Sequence, residues 1–179
     1  VGMNALYSNN TGVDNVAVGT EALWNNTNGV HNTALGFQAI NSNNTGSNNT
    51  AIGSQSLYSN SNGSNNSAIG KDALKNNTIG SYNTSNGYQA LFSNTNGANN
   101  LADGAQALFN NTIGTQNTAN GYQALFSNIA GNNNTSVGAL SLFNNNSGIN
   151  NVAIGVEALK NNSIGGFNTA SGYQALYSN

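Results

Sequence analysis

The chain contains no cysteine and no proline, and charged side chains make up only 4% of its 179 residues. Without cysteine there is no disulfide framework, though a stacked repeat needs none and is compatible with an extracellular setting. Disorder is usually rich in proline and net charge, so both shortages favour an ordered repeat. The bases are Lys71, Lys75 and Lys160 against a net charge of −2. That is too few to neutralise a phosphate backbone or hold an anionic membrane surface, so nucleic acid is excluded as a partner. No stretch approaches the roughly 18 to 20 apolar residues that span a bilayer, so no membrane insertion is expected, and the start does not read as a signal peptide. Because the sequence opens and closes in mid-pattern, it is expected to be a fragment of a longer fibre.

What is abundant is asparagine and glycine, and both are periodic. Self-similarity recurs every 17 residues from Tyr7 to Leu176 without insertion or deletion. This predicts a single repeat domain over 1–179: a partial coil at 1–6, full repeats at 7–23, 24–40, 41–57, 58–74, 75–91, 92–108, 109–125, 126–142, 143–159 and 160–176, and a partial coil at 177–179. Positions are numbered below from 1 (Tyr7) to 17 (Leu23).

Four columns are invariant. Position 3 is Asn9, Asn26, Asn43, Asn60, Asn77, Asn94, Asn111, Asn128, Asn145 and Asn162, and position 9 is Asn15, Asn32, Asn49, Asn66, Asn83, Asn100, Asn117, Asn134, Asn151 and Asn168. Position 6 is Gly12, Gly29, Gly46, Gly63, Gly80, Gly97, Gly114, Gly131, Gly148 and Gly165; position 13 is Gly19, Gly36, Gly53, Gly70, Gly87, Gly104, Gly121, Gly138, Gly155 and Gly172. Positions 11 and 16 hold Ala or Ser, position 17 holds Leu or Ile, and position 1 is mostly aromatic.

A 17-residue unit is too short for a helical-hairpin repeat and suits one coil of a β-solenoid or β-roll. The expected coil has a strand at positions 10 to 12, a glycine bend, a second strand at positions 14 to 1, and a polar return loop, with Asn and Gly marking the corners. Coils about 4.8 Å apart give a rod roughly 48 Å long in which the asparagines form hydrogen-bonded ladders. Alternation along a strand further predicts that, if alanines line a thin interior, the Leu column at position 17 and the Val/Ile column at position 12 are exposed as long apolar stripes. Stripes of that size mark a subunit interface, so self-association is expected, most simply as a parallel homotrimer.

The run Asn49–Gly53 (NTAIG), with Asn66–Gly70 (NSAIG) and Asn151–Gly155 (NVAIG), resembles the head repeats of YadA-type trimeric autotransporter adhesins. The longer string at Asn117–Gly131 (NTANGYQALFSNIAG) resembles repeats of phage-type tail fibre proteins. The resemblance implies a homotrimeric β-roll in an extracellular, cell-surface or virion-surface fibre used for attachment. The present unit departs from the adhesin repeats in having extra residues in its Asn/Ser/Thr loop.

Chemistry-bearing residues are sparse. The carboxylates are Asp14, Glu21, Asp72, Asp103 and Glu157, and the one histidine, His31, sits in a loop column with no acidic or thiol column beside it. General acid–base catalysis needs converging titratable groups, so no enzyme, no catalytic or metal site and no cofactor are expected. At position 12, where other coils are aliphatic, three consecutive coils carry Asn86, Asp103 and Asn120. On a shared axis these would form a polar patch needing a cation, water or proton; otherwise they face solvent. Tyr88, Tyr122 and Tyr173 are candidate contacts to a surface glycan or receptor, with edge packing the plainer reading. A structural, adhesive fibre segment is thus expected, with a self-assembling, amyloid-like filament as the alternative. The partial threonine column at position 10 admits an ice-binding solenoid as a lesser one.

Overall fold

The computed structural model describes residues 1–179. Each repeat contributes one three-residue strand: β1 (Val16–Val18), β2 (Thr33–Leu35), β3 (Thr50–Ile52), β4 (Ser67–Ile69), β5 (Thr84–Asn86), β6 (Leu101–Asp103), β7 (Thr118–Asn120), β8 (Thr135–Val137), β9 (Val152–Ile154) and β10 (Thr169–Ser171). They form one parallel sheet in sequential order. Register is column upon column, for example Thr33 on Thr50, Ala34 on Ala51 and Leu35 on Ile52. The chain is a parallel β-solenoid without helix, and the period of the sequence is the period of the stack.

Strand residues alternate as an extended backbone requires. In β3 the middle Ala51 is buried while Thr50 and Ile52 face outward. Small side chains are needed inside because the coil is thin. Where serine replaces alanine, its hydroxyl crosses the interior: Ser85 Oγ donates to the Ala90 carbonyl oxygen at 2.8 Å, and Ser136 Oγ donates to the Ser141 carbonyl at 2.9 Å. Positions 11 and 16 therefore face one another across the coil.

The expected second strand at positions 14 to 1 is absent; that segment is a series of turns. Its backbone explains why. Position 15 is left-handed, as in Gln106 (φ 57°), and so is position 17, as in Leu108 (φ 52°) and Ile40 (φ 47°). Two left-handed residues flanking position 16 cancel the two-residue alternation, so neighbouring side chains at 16 and 17 both turn inward. Ala107 and Leu108 are both fully buried, as are Ala124 and Leu125. The expectation of an exposed Leu stripe is thereby overturned, and the leucines instead supply the bulk of the core. The exposed Val/Ile column at position 12 stands: Val18 is 39% exposed, Ile52 38% and Ile154 47%.

The corners also differ from expectation. Left-handed residues fall at positions 8, 15 and 17, not at the invariant asparagines. Position 13 is a true glycine corner, with Gly104 at φ 140°. Position 6 is not left-handed, and its glycine answers to space: a Cβ on Gly97 would overlap Asn94 Oδ1 and the Gly114 carbonyl oxygen.

The two asparagine columns are ladders, and both run one way. At position 3, Asn94 Nδ2 donates to Asn77 Oδ1 of the preceding coil at 2.7 Å and to the Gly97 carbonyl of its own turn at 3.0 Å. Asn111 Nδ2 then donates to Asn94 Oδ1 at 2.7 Å. At position 9, the Asn100 backbone N–H and Nδ2 both donate to Asn83 Oδ1, at 3.0 and 3.1 Å, and Nδ2 also reaches the Gly114 carbonyl of the next coil at 2.8 Å. No buried side-chain nitrogen or oxygen lacks a partner. Burying so many amides would be costly if any were orphaned, and the repeat satisfies them by translation alone.

Candidate functional site

With the ladders, alanines and leucines sealed inside, anything the rod does to another molecule is done by its outer columns. The first outer surface is the strand face, made of positions 10 and 12. Position 12 runs Val18, Leu35, Ile52, Ile69 along β1 to β4 and resumes with Val137 and Ile154 in β8 and β9. Asn86, Asp103 and Asn120 interrupt it in β5 to β7, where they stack in register. Asn86 Nδ2 donates to Asp103 Oδ1 at 3.0 Å, which joins two members of the polar patch within one chain. Position 10 lies on the same face. Its threonines are interrupted by Val16, Ser67, Leu101 and Val152.

The second outer surface lies past the position 13 corner and consists of positions 14, 15 and 1. Position 15 forms a third amide ladder that the sequence reading missed. Gln38 Nε2 donates to Glu21 Oε2 and Gln55 Nε2 to Gln38 Oε1, both at 2.7 Å; Gln123 Nε2 donates to Gln106 Oε1 at 2.8 Å and Gln106 Nε2 to Gln89 Oε1 at 3.2 Å. The recurrence of Gln at one position was the available signal. That signal is weak because the column is interrupted by Glu21, Asp72, Leu140 and Glu157. The acidic members sit within this network: Asp72 Oδ1 accepts from Lys75 Nζ at 2.9 Å, and Glu157 accepts from Lys160 Nζ at 2.6 Å and from Gln174 Nε2 at 2.7 Å. The Gln174 amide, and after it Lys160, holds the Glu157 carboxyl below the usual carboxylate range. The hydrogen bond to Glu157 in turn raises Lys160 above the usual amine range.

Position 1 is the aromatic column. Phe92, Phe109, Phe126 and Phe143 stack face to face with successive centroids 5.1 Å apart and ring planes within 8° of parallel. Lys75 Nζ sits 5.8 Å from the Phe92 centroid at one end of the stack. A spacing of one coil per ring leaves these side chains in offset contact, the arrangement aromatic pairs prefer over a perfect sandwich. Tyr88, Tyr122 and Tyr173 stand in position 14 and are exposed, at 47%, 53% and 73%.

Asp14 proves to be a neighbour of His31. Both occupy position 8 in adjacent coils, with His31 Nε2 3.4 Å from Asp14 Oδ2 and both side chains more than half exposed. The expectation that His31 has no acidic neighbour is corrected, because a column relation places residues 17 apart side by side. So exposed a pair contributes little to stability. No group of three or more His, Cys, Asp or Glu side chains converges to hold a metal ion. No helix is long and apolar enough to cross a membrane.

Scans against protein-family models, curated proteins and solved structures each return no match to the chain. The fold and its ladders place it in the class of asparagine-laddered parallel β-solenoids.

Proposed function

We propose that this chain is a rigid structural segment of an extracellular, cell-surface or virion-borne fibre, assembled from parallel copies of itself and used for attachment. The supporting observation is the aliphatic column at position 12. In a chain whose buried side-chain polar atoms are all paired, Val18, Leu35, Ile52 and Ile69 remain exposed in consecutive strands of one sheet face. A continuous apolar stripe of this kind is the usual mark of an interface, and it runs parallel to the rod, so copies align side by side. Three copies around an axis parallel to the rod would bury every stripe equivalently. The likeness of the Asn49–Gly53 run to trimeric adhesin heads points the same way. In that assembly Asn86, Asp103 and Asn120 form a polar stretch of the shared axis, and the self-paired copy is the principal partner.

The test is the mass of the purified chain in solution by light scattering. The expected result is three times the single-chain mass, falling to the single-chain mass in the double variant Ile52→Lys, Ile69→Lys. A single-chain mass for the parent would refute the assembly. Long unbranched filaments in electron micrographs would instead favour end-to-end self-assembly.

A further inference from the structure

Coils at 75–91, 92–108 and 109–125 present, on the surface past the position 13 corner, an uncharged strip in which three consecutive glutamines run beside two tyrosines and the stacked phenylalanines. We propose that this strip, made by Tyr88, Tyr122, Gln89, Gln106 and Gln123 beside the phenylalanine stack, binds a neutral saccharide chain. The proposal names the ligand class for the attachment role above and rests on that reading for its purpose, but its geometry is independent of the strand face that the copies would share.

Three features of the strip argue for this chemistry. The first is unspent hydrogen-bonding capacity. The Gln89–Gln106–Gln123 ladder is an isolated segment: Asp72, in the coil before it, is engaged by Lys75, and Leu140, in the coil after it, offers no polar atom. Gln89 Nε2 and Gln123 Oε1 therefore lack ladder partners, and each primary amide keeps a second N–H or lone pair beyond its ladder bond. An amide that can donate and accept side by side is suited to adjacent hydroxyl groups. The second is the aromatic spacing. Tyr88 and Tyr122 are two coils apart, about 9.6 Å, with the small Ala105 in the coil between them. Carbon contacts of about 3.5 to 4.0 Å on each side of a flat group would require about 7 to 8 Å between flanking rings, so a puckered sugar ring fits the gap where a second tyrosine would close it. The third is charge. Lys75 lies at one edge and the Glu157–Lys160 pair well beyond the other, with no charged side chain at positions 14, 15 and 1 from Tyr88 to Phe143. A polyanion or a cationic peptide would find no counter-charge there, whereas a neutral hydroxyl-rich chain needs none.

The column itself shows which substitutions the fold tolerates. Position 14 already holds Ala105 and Ala139, and position 15 already holds Leu140 in the same left-handed conformation (φ 58°). The variants Tyr88→Ala with Tyr122→Ala, and Gln106→Leu, should therefore melt with the parent. The experiment is affinity electrophoresis of the full chain through gels containing dextran, xylan, galactan or mannan, with alginate as the anionic comparison. The expected result is retardation by at least one neutral polysaccharide, weakened at least about tenfold in the double tyrosine variant and in Gln106→Leu. Tyr173→Ala, in the coil at 160–176 outside the strip, should bind as the parent does. The proposal is overturned if none of the four neutral polysaccharides retards the chain, if alginate alone does, or if the double variant binds undiminished. The oligomeric mass of the same variants keeps the two readings apart: unchanged mass with lost binding concerns this strip alone, and altered parental mass concerns the fibre assembly alone.

Discussion

Replacing Asn94 by Asp changes one buried nitrogen to oxygen and leaves the side chain's shape intact, so it isolates the worth of a rung. Asn94 is fully buried. Its Nδ2 donates to Asn77 Oδ1 at 2.7 Å and to the Gly97 carbonyl at 3.0 Å, while its Oδ1 accepts from Asn111 Nδ2 at 2.7 Å. In the carboxylate form both donated bonds become contacts between acceptors. Two hydrogen bonds at roughly 1 kcal/mol each are lost, and the stranded acceptors add about 1 to 3 kcal/mol, giving a destabilisation of about 3 to 5 kcal/mol at pH 7. Burial among acceptors favours the neutral acid, so the folded-state pKa of this Asp rises above its unfolded value of about 3.9. A raised pKa means that stability is greatest below the unfolded value and is lost as pH climbs through the folded one. Denaturant unfolding followed by circular dichroism should therefore find Asn94→Asp markedly closer to the parent at pH 3 than at pH 7. Asn94→Ala, which cannot recover a donor, should show no such recovery relative to the parent. Asn99→Asp, on the exposed position 8 column, should change stability by less than about 0.5 kcal/mol. An Asn94→Asp protein as stable as the parent at pH 7, or equally damaged at both pH values, would refute the claim that these amides act as directed donors.

Two glycines of the same column separate crowding from backbone strain. Gly104→Ala must hold alanine at φ 140° with its Cβ against the Gly121 backbone, whereas Gly172→Ala has a similar φ of 127° but open space around the new Cβ. Thermal melts should show Gly104→Ala destabilised by roughly 2 kcal/mol or more and Gly172→Ala by less; equal losses would leave the contact with the next coil without effect. Ile40 is a β-branched side chain held at φ 47° in a column otherwise made of leucine. Ile40→Leu should raise stability by about 0.5 to 1 kcal/mol in the same assay, and a loss would mean that the local packing has adapted to isoleucine.

The solenoid was legible because translation is a strong constraint. Once the period was found, the register of every strand pair and both asparagine ladders followed, since residues 17 apart must lie over one another. The shape within a coil was less legible. Alternation is a property of extended backbone, and nothing in the string Gln-Ala-Leu announces that its first and third residues are left-handed. Leucine ordinarily avoids that conformation at a cost of about 1 to 2 kcal/mol. Here burying the side chain among its copies offsets that cost, so tertiary packing overrides local preference. The glutamine ladder stayed hidden for a different reason: a partial column looks like ordinary surface variation until its members are seen to bond.

That contrast assigns different work to different columns. Positions 3, 6, 9 and 13 cannot change without orphaning an amide, overlapping a carbonyl or straining the backbone, so they carry no information that distinguishes one coil from another. Positions 12, 14 and 15 can change at little structural cost, and a tyrosine at position 14 goes with a polar residue at position 12: Asn86 with Tyr88, Asn120 with Tyr122 and Ser171 with Tyr173, while Asp103 goes with Ala105. Tyrosine at position 14 occurs only in coils whose position 12 is polar. A rod selected for rigidity alone would have no reason to link these two columns, which lie on opposite sides of a glycine corner. A rod that must also present a few coils differently from their neighbours would, and binding specificity would then reside in which coils are altered while the scaffold beneath them stays constant.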